Sequence, residues 1–477
     1  MNIFNRLKDN QKEIEKKILS SDVDYCLFKI KNKDALLVFY KNCVSKNAVG
    51  TLIIKPLSEL KKENSVNGIF KSVLYPEKEI ISTFSDVFIK LEEGNAVLFI
   101  DGENSAVSFS IQKYEKRSIS EPPTSSVIKG PREGFVESID VNMNLLRRRI
   151  KSCELRFIET TVGKYSKTRV SVCYVNKIAD KKLVNKILKK IKKINIDAII
   201  DSSYISKFLS EHKTSLFKQF GNTEKPDILT SRLLEGRIGI IVDGSPIAIT
   251  LPYLLIEDFQ SPSDYYNSFY LASLLRVIRL ISVSLSILLP AFYLSAELFH
   301  LEYIPLSFLL TIVSSIKGIP LSPSFELFIT LLIFEILNEA SVRMPKTVGM
   351  VVSIVGGLVL GETAVTAGII SAPALMVIAF SGICLFTVPE LTQTFSLIRF
   401  IFLIVGGSIG SYGIIICLAI FLVYIVSFES YGTPIFAPFS PLVKKDIKDS
   451  FYKSLMVKNT YRPLSLSQKN IRRISYE

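Results

Sequence analysis

Histidine is almost missing from this 477-residue chain. His212 and His300 alone leave little material for a histidine-based metal site or triad. Six cysteines (Cys26, Cys43, Cys153, Cys173, Cys384, Cys417) are scattered without C-x-x-C spacing. They read as reduced structural thiols, which excludes a disulfide framework. No G-x-x-x-x-G-K-[ST], G-x-S-x-G or H-E-x-x-H sequence occurs. Asp243–Gly244–Ser245–Pro246 reads as a tight turn after a strand, and Glu257–Asp258 and Asp264 as boundary, capping or salt-bridge groups. No enzyme, cofactor or metal site is therefore expected. Met1–Ser20 is charged and lacks an apolar core, so it is not a signal peptide. No internal repeat is evident.

The most informative scarcity is basic charge. Between Leu280 and Ser430 only Lys317, Arg343, Lys346 and Arg399 are basic, against eight Glu. That block carries −4 of a formal net charge of +14, leaving +18 for the remainder. Its apolar runs are long: Ile401–Ser427 has no charge, and Val348–Pro389 has only Glu362. A helical span needs about 20 residues, so the chain reads as a membrane protein with a large water-soluble front end. Basic residues beside the spans fit a cytoplasmic side facing anionic membrane lipids. The tail from Leu442, with nine Lys or Arg against three acidic residues, belongs on the same side. No zinc knuckle, helix-turn-helix signature or aromatic–basic interleaving supports nucleic-acid binding.

The expected organisation is an α/β cytoplasmic N-terminal region in two subdomains, then an α-helical polytopic membrane domain. Residues 1–120 form the first subdomain, 121–135 a linker, 136–262 the second subdomain, 263–430 the membrane domain and 431–477 a basic tail. Asp24–Ile30, Ala35–Phe39, Thr51–Ile54 and Ala96–Ile100 read as strands, as do Arg169–Val175, Ile196–Ile200 and Gly239–Val242. Asn144–Arg156 reads as a basic helix. Asp180–Ile194 has the 3.6-residue apolar period of a one-faced helix, with lysines around the rest. Those lysines are either a solvated face or a lipid or partner contact. Alternating helices and strands suggest α/β subdomains. A helix starting at Ser263–Asp264–Tyr265–Tyr266 is expected to run through Arg276 and Arg279 to Leu298. Val348–Ile370, Ala372–Pro389 and Leu397–Ser427 are further apolar segments. Tyr303–Ala340 is interrupted by Lys317, Gly318, Pro320 and Pro323, so it reads as a re-entrant or discontinuous pair. Four to six membrane segments result.

Glu335, Glu339 and Arg343 recur every four residues on one helical face, as a structural clip or as a polar strip facing a pore. Glu362 is either buried structurally or pore-lining. Ser353, Gly357 and Gly361, and later Gly406 and Gly410, have the small-residue spacing of close helix packing. A hinge at Gly406 and Gly410 is the alternative. In the soluble half, Gly130 and Gly134 free the backbone while Pro131 restricts it, as a defined turn requires. Gly130, Arg132, Arg147, Arg148 and Arg149 are candidate interdomain or partner contacts. The three consecutive arginines are expected to meet Glu235 or acid on a neighbouring subunit, or simply solvent.

An ordered set of short motifs links these positions. Gly130–Pro131–Arg132–Glu133–Gly134–Phe135 is followed by Asn144–Leu145–Leu146–Arg147–Arg148–Arg149–Ile150. Then come Leu234–Glu235–Gly236–Arg237, Ile241–Val242–Asp243–Gly244–Ser245–Pro246 and Ser263–Asp264–Tyr265–Tyr266. Pro290 with Tyr293, His300 with Ile304–Pro305, Phe334–Glu335 with Glu339–Ala340, and Ser353–Ile354–Val355–Gly356 with Gly361 continue the series. Together, over roughly residues 130–390, they resemble the A subunit of the GerA-type spore germinant receptors. A related stage V sporulation membrane protein shares much of that architecture. The resemblance implies a place in the inner membrane of the endospore and a role in triggering germination by nutrients. It also implies a transporter-like B subunit, a lipoprotein C subunit, and A-subunit oligomerisation around an ion-conducting path. A secondary transporter with a site in its own membrane core, and a nonconducting scaffold, are the alternative functions.

Overall fold

The computed structural model describes residues 1–58, 65–73, 75–112, 130–344, 357, 361–455, 459–466 and 470–473. An N-terminal α/β region with two five-stranded sheets is followed by a helical region containing apolar helices of membrane length. The first sheet comprises β1 (Val23–Ile30), β2 (Lys33–Tyr40), β3 (Lys78–Ile81), β4 (Ala96–Ile100) and β5 (Ala106–Phe109). The second comprises β6 (Leu155–Val162), β7 (Thr168–Val175), β8 (Gly221–Thr223), β9 (Ile238–Val242) and β10 (Ala248–Leu251). All their pairings are antiparallel. Alternate side chains go to opposite faces of a strand, and helices cover both faces. Leu36, Val38 and Tyr40 enter one core, while Ala35, Leu37 and Phe39 enter the other.

The spatial orders are β1-β2-β4-β5-β3 and β6-β7-β9-β10-β8, the same arrangement twice. Helices Leu7–Lys17 and Ile139–Arg149 precede the first hairpin of each, and Phe84–Glu92 and Pro226–Leu234 precede the fourth strand of each. Local contacts repeat too. Asn10 accepts from Phe4 N and donates to Phe4 O, and Asn142 does the same with Val136. Asp101 accepts from Leu7 N and Asp243 from Ile139 N. The glycine after each aspartate, Gly102 or Gly244, has positive φ and donates to Asn5 O or Glu137 O at 2.8 Å. Thus the N-terminal α/β region is a structural duplication, although the sequence shows no evident repeat.

Several expected elements differ. Thr51–Ile54 is not a strand but part of the helical stretch Lys46–Ser58, where Val49, Ile53 and Leu57 are buried at four-residue intervals. Its middle, Val49–Ile54, is wound as a π-helix. The helix expected over Asn144–Arg156 is Ile139–Arg149, and the remainder turns into β6. Ile196–Ile200 joins no sheet; Ile196 O and Asp197 O accept from the β6–β7 turn at Lys164 and Tyr165.

In the helical region, Pro262–Tyr266 and Phe269–Phe299 are separate helices because Asn267 is extended. The long helix packs against Ala372–Leu385 and Thr392–Ile409. Leu306–Ile316 and Pro323–Arg343 are two helices with Gly318 at positive φ between them. The single segment expected over Leu397–Ser427 is two helices, Thr392–Ile409 and Ser411–Ser427, that pack on one another. Gly410, φ 74°, sits between them. Their 18 and 17 residues correspond to about 26–27 Å each. Among the described residues, Phe269–Phe299 and Pro389–Ile409 are long and apolar enough to cross a bilayer. Leu306–Ile316, Ala372–Leu385 and Ser411–Ser427 are shorter apolar helices. Ser353 and residues 121–129 of the expected linker lie outside the described residues.

Candidate functional site

The two repeats meet through a buried ion pair. Arg147 donates from Nε and Nη2 to the two carboxylate oxygens of Asp22, at 2.9 and 3.0 Å. Its guanidinium lies 4.1 Å from the Tyr40 ring centroid. Arg147 is therefore closed off inside the chain, where it meets Asp22 of the first repeat and not Glu235. Arg148 and Arg149 turn to Glu133 at 3.6 and 2.7 Å, and Glu235 faces Arg237 at 3.4 Å. Arg132 is exposed. Gly130 has φ 121°, and a Cβ there would lie 2.6 Å from the Tyr266 ring. Tyr266 donates to Asp227 at 3.0 Å. The turn before the second repeat therefore abuts the segment that leads into the long helix.

A joint of alternating charge connects the second repeat to the helices. Phe217 lies among Phe395, Phe421 and Tyr424, with ring centroids 6.0–6.3 Å away. Lys218 reaches Asp258 and Glu390, both at 2.9 Å. Glu257 is held by Arg237, by Arg232 at 3.0 Å and by Leu254 N at 2.7 Å. Asp264, fully buried, receives Arg276 at 3.2 Å and Arg279 at 2.8 Å. Asp449 of the tail adds a second bond to Arg276 at 3.0 Å. Burial pushes the Asp258 carboxyl up to about 6, more than Lys218 and the Tyr253 hydroxyl pull it down. Burial also raises Glu257, but Arg237 and Arg232 outweigh it and hold that carboxyl below its ordinary value.

Inside the helices one polar chain ties four elements. Arg399, on Thr392–Ile409, is fully buried and pairs with Glu335 on Pro323–Arg343. Arg399 also donates to Ser381 Oγ at 2.7 Å, and Ser381 donates to Ser286 O on the long helix at 3.1 Å. A second acid, Glu326, is buried and accepts from Ser371 N at 2.6 Å. Arg399 and Glu326 were missed as site residues. The signal was available, since Arg399 is the single basic residue between Lys346 and Lys444.

The expected strip divides. Glu335 turns inward, whereas Glu339 and Arg343 pair at 2.6 Å with side chains 64% and 78% exposed. Glu362 is exposed as well. Gly406 lies against Ala291, whose carbonyl oxygen would be 2.8 Å from an added Cβ. Among the described residues, a Cβ added at Gly361 would meet Leu375 at 3.4 Å, and one at Gly357 would meet nothing within 4 Å. Gly382, unremarked in the sequence, receives the Phe334 ring, which an added Cβ would overlap.

Comparison with known proteins matches residues 8–465 to the family described as Bacillus/Clostridium GerA spore germination protein. Spore germination protein KA of Bacillus subtilis is 34% identical over 97% of this chain and 87% of that protein. The uncharacterized membrane protein YfkQ of B. subtilis is 36% identical over 82% of this chain and 76% of that protein. The crystal structure of the N-terminal domain of the A subunit of the Bacillus megaterium spore germinant receptor GerK3 matches with 28% identity and a TM-score of 0.42. It covers 54% of this chain and 98% of that one. With the match running through the α/β repeats, the joint and the helices alike, the chain belongs to the GerA family of spore germination proteins.

Proposed function

We propose that this chain is a nonenzymatic, multi-pass subunit of a nutrient-germinant receptor in the endospore inner membrane, with its N-terminal region cytoplasmic. In this reading it forms or gates an oligomeric ion path together with a transporter-like B subunit and a lipoprotein C subunit. Residues 1–120 and 136–262 act as two soluble units, 263–430 as the membrane unit and 431–477 as the tail.

The observation that carries the reading is the exposure of Glu339 and Arg343 on the largely apolar outer face of Pro323–Arg343, and of Glu362 beside Thr363 and Thr366 on Gly361–Thr366. Ionisable side chains face protein or water rather than lipid, so a neighbouring copy, a partner subunit or an aqueous path must cover them. The inward pair Arg399–Glu335 would hold the helices in one arrangement. Nutrient binding to a partner can shift the population toward another only by favouring it energetically. Nutrient-triggered monovalent-ion flux through vesicles holding all three subunits tests this directly. Flux is expected with the complete set and not without this chain. Solute uptake by this chain alone would favour a transporter and overturn the reading.

A further inference from the structure

We propose that the lysine face of the Lys181–Lys192 helix, with the adjoining 207–218 segment, is a docking surface for anionic lipid headgroups. At 3.6 residues per turn, Lys182, Lys186, Lys189, Lys190 and Lys193 fall within about 100° of arc, opposite the buried Val184, Ile187 and Ile191. The position of this face is fixed by Tyr431. That residue is four beyond the end of the apolar helix Ser411–Ser427, so at most roughly 14 Å of chain separates them. Lys186 and Lys190 lie 5.0 and 4.5 Å from its ring centroid. The tyrosine hydroxyl donates to Leu209 O at 2.7 Å.

Glu211 takes Lys186 at 2.7 Å and Lys190 at 3.0 Å. Among the described residues, Lys182, Lys189 and Lys193 have no ion-pair partner. The 207–218 segment continues the surface. Lys207 and Lys213 are exposed beside Phe208 and Leu216, which are 47% and 41% exposed. Leu216 is fixed to the apolar helices, its backbone N–H donating to Tyr424 Oη at 3.0 Å. Lysines beside exposed apolar side chains, held at the end of apolar helices, match a bilayer surface with negative headgroups.

The duplication supplies an internal control. From Lys177 to Lys218 the second repeat has eleven lysines against four acidic residues. The corresponding stretch of the first repeat, Lys41 to Glu77, has six against three. The scaffold therefore does not demand this charge.

The test uses the full chain in phosphatidylcholine nanodiscs with and without phosphatidylglycerol, with lysine acylation read peptide by peptide. Modification of Lys182, Lys189 and Lys193 is expected to slow several-fold with phosphatidylglycerol and to recover at high salt. Lys29 and Lys31, exposed in the first repeat, should be unchanged. Equal rates in both lipids overturn the proposal. The chain has no tryptophan, so Phe208→Trp introduces a single indole that brominated lipid chains can quench. Quenching should grow with phosphatidylglycerol and lose that dependence in K182Q/K189Q/K193Q, with an unchanged melting temperature. Absent quenching, or the same lipid dependence in the lysine variant, overturns it as well.

Discussion

The two α/β repeats share a scaffold but not their contacts with the helices. After Phe84–Glu92 and Pro226–Leu234 comes Glu–Gly and then a diverged residue, Asn95 in the first repeat and Arg237 in the second. Asn95 stays local, accepting from Gln112 at 3.2 Å. Arg237 reaches outward to Pro252 O at 3.1 Å and to Glu257. Tyr431, from beyond the last apolar helix, enters the core of the second sheet. Among the described residues, no side chain from the helical region enters the cores of the first. The first repeat is instead tied to the second by Arg147–Asp22 and by bonds from Ser21 to Phe157 O. Motion in the first repeat can therefore pass to the helices by way of the second.

Asp22→Ala should break this comparison most severely. It leaves the Arg147 guanidinium, 4% exposed, without its acid, at a cost of about 3–5 kcal/mol. Calorimetry should then show the first repeat melting separately and earlier. A single unshifted transition would contradict the coupling. Arg237→Leu should cost roughly 3 kcal/mol, because Glu257 keeps Arg232 while losing a buried partner. The equivalent Asn95→Ala should cost only about 1 kcal/mol. Equal losses in chemical denaturation would mean that the repeats have not diverged in role.

Asp258 gives the joint a pH signature. Its carboxyl, about 6 in the fold against 3.8 ordinarily, binds its proton more tightly in the folded state. Its contribution is therefore full below pH about 4 and is lost as pH rises through about 6, by at most about 3 kcal/mol. Asp258→Asn should flatten stability against pH over that window, and an unaltered slope would refute the assignment. The repeat itself is sharpened by Asn10→Ala and Asn142→Ala. Each leaves two backbone groups unpaired, and the two losses should match at about 1–2 kcal/mol.

Much of the architecture was legible because apolar period and charge are local signals. Asp180–Ile194 showed its helix, and β2, β4 and β9 showed theirs as apolar runs. Thr51–Ile54 misled because β-branched residues bury equally well on a helix laid across a sheet. Gly410 lies close to Phe299, where an added Cβ would be 3.0 Å from the ring, and its positive φ at a helix break is a backbone property that small-residue spacing does not encode. The duplication is faint in the sequence because its matching residues, Asn10 with Asn142 and Asp101–Gly102 with Asp243–Gly244, are sparse punctuation between diverged apolar strands. Site residues were harder still. Glu335, Glu339 and Arg343 share a sequence period, yet only the fold shows that Arg399, 64 residues beyond Glu335, turns one of them inward.

The central claim is that the outward charges serve an ion path. The most direct measurement is nutrient-triggered flux in vesicles holding the complete receptor with Glu339→Gln and Glu362→Gln together. Within this chain Glu339 belongs to an exposed pair, worth only about 0–1 kcal/mol, so the fold should survive. Flux is expected to fall sharply while the amount of assembled receptor stays normal. Wild-type flux from the double variant would contradict the account.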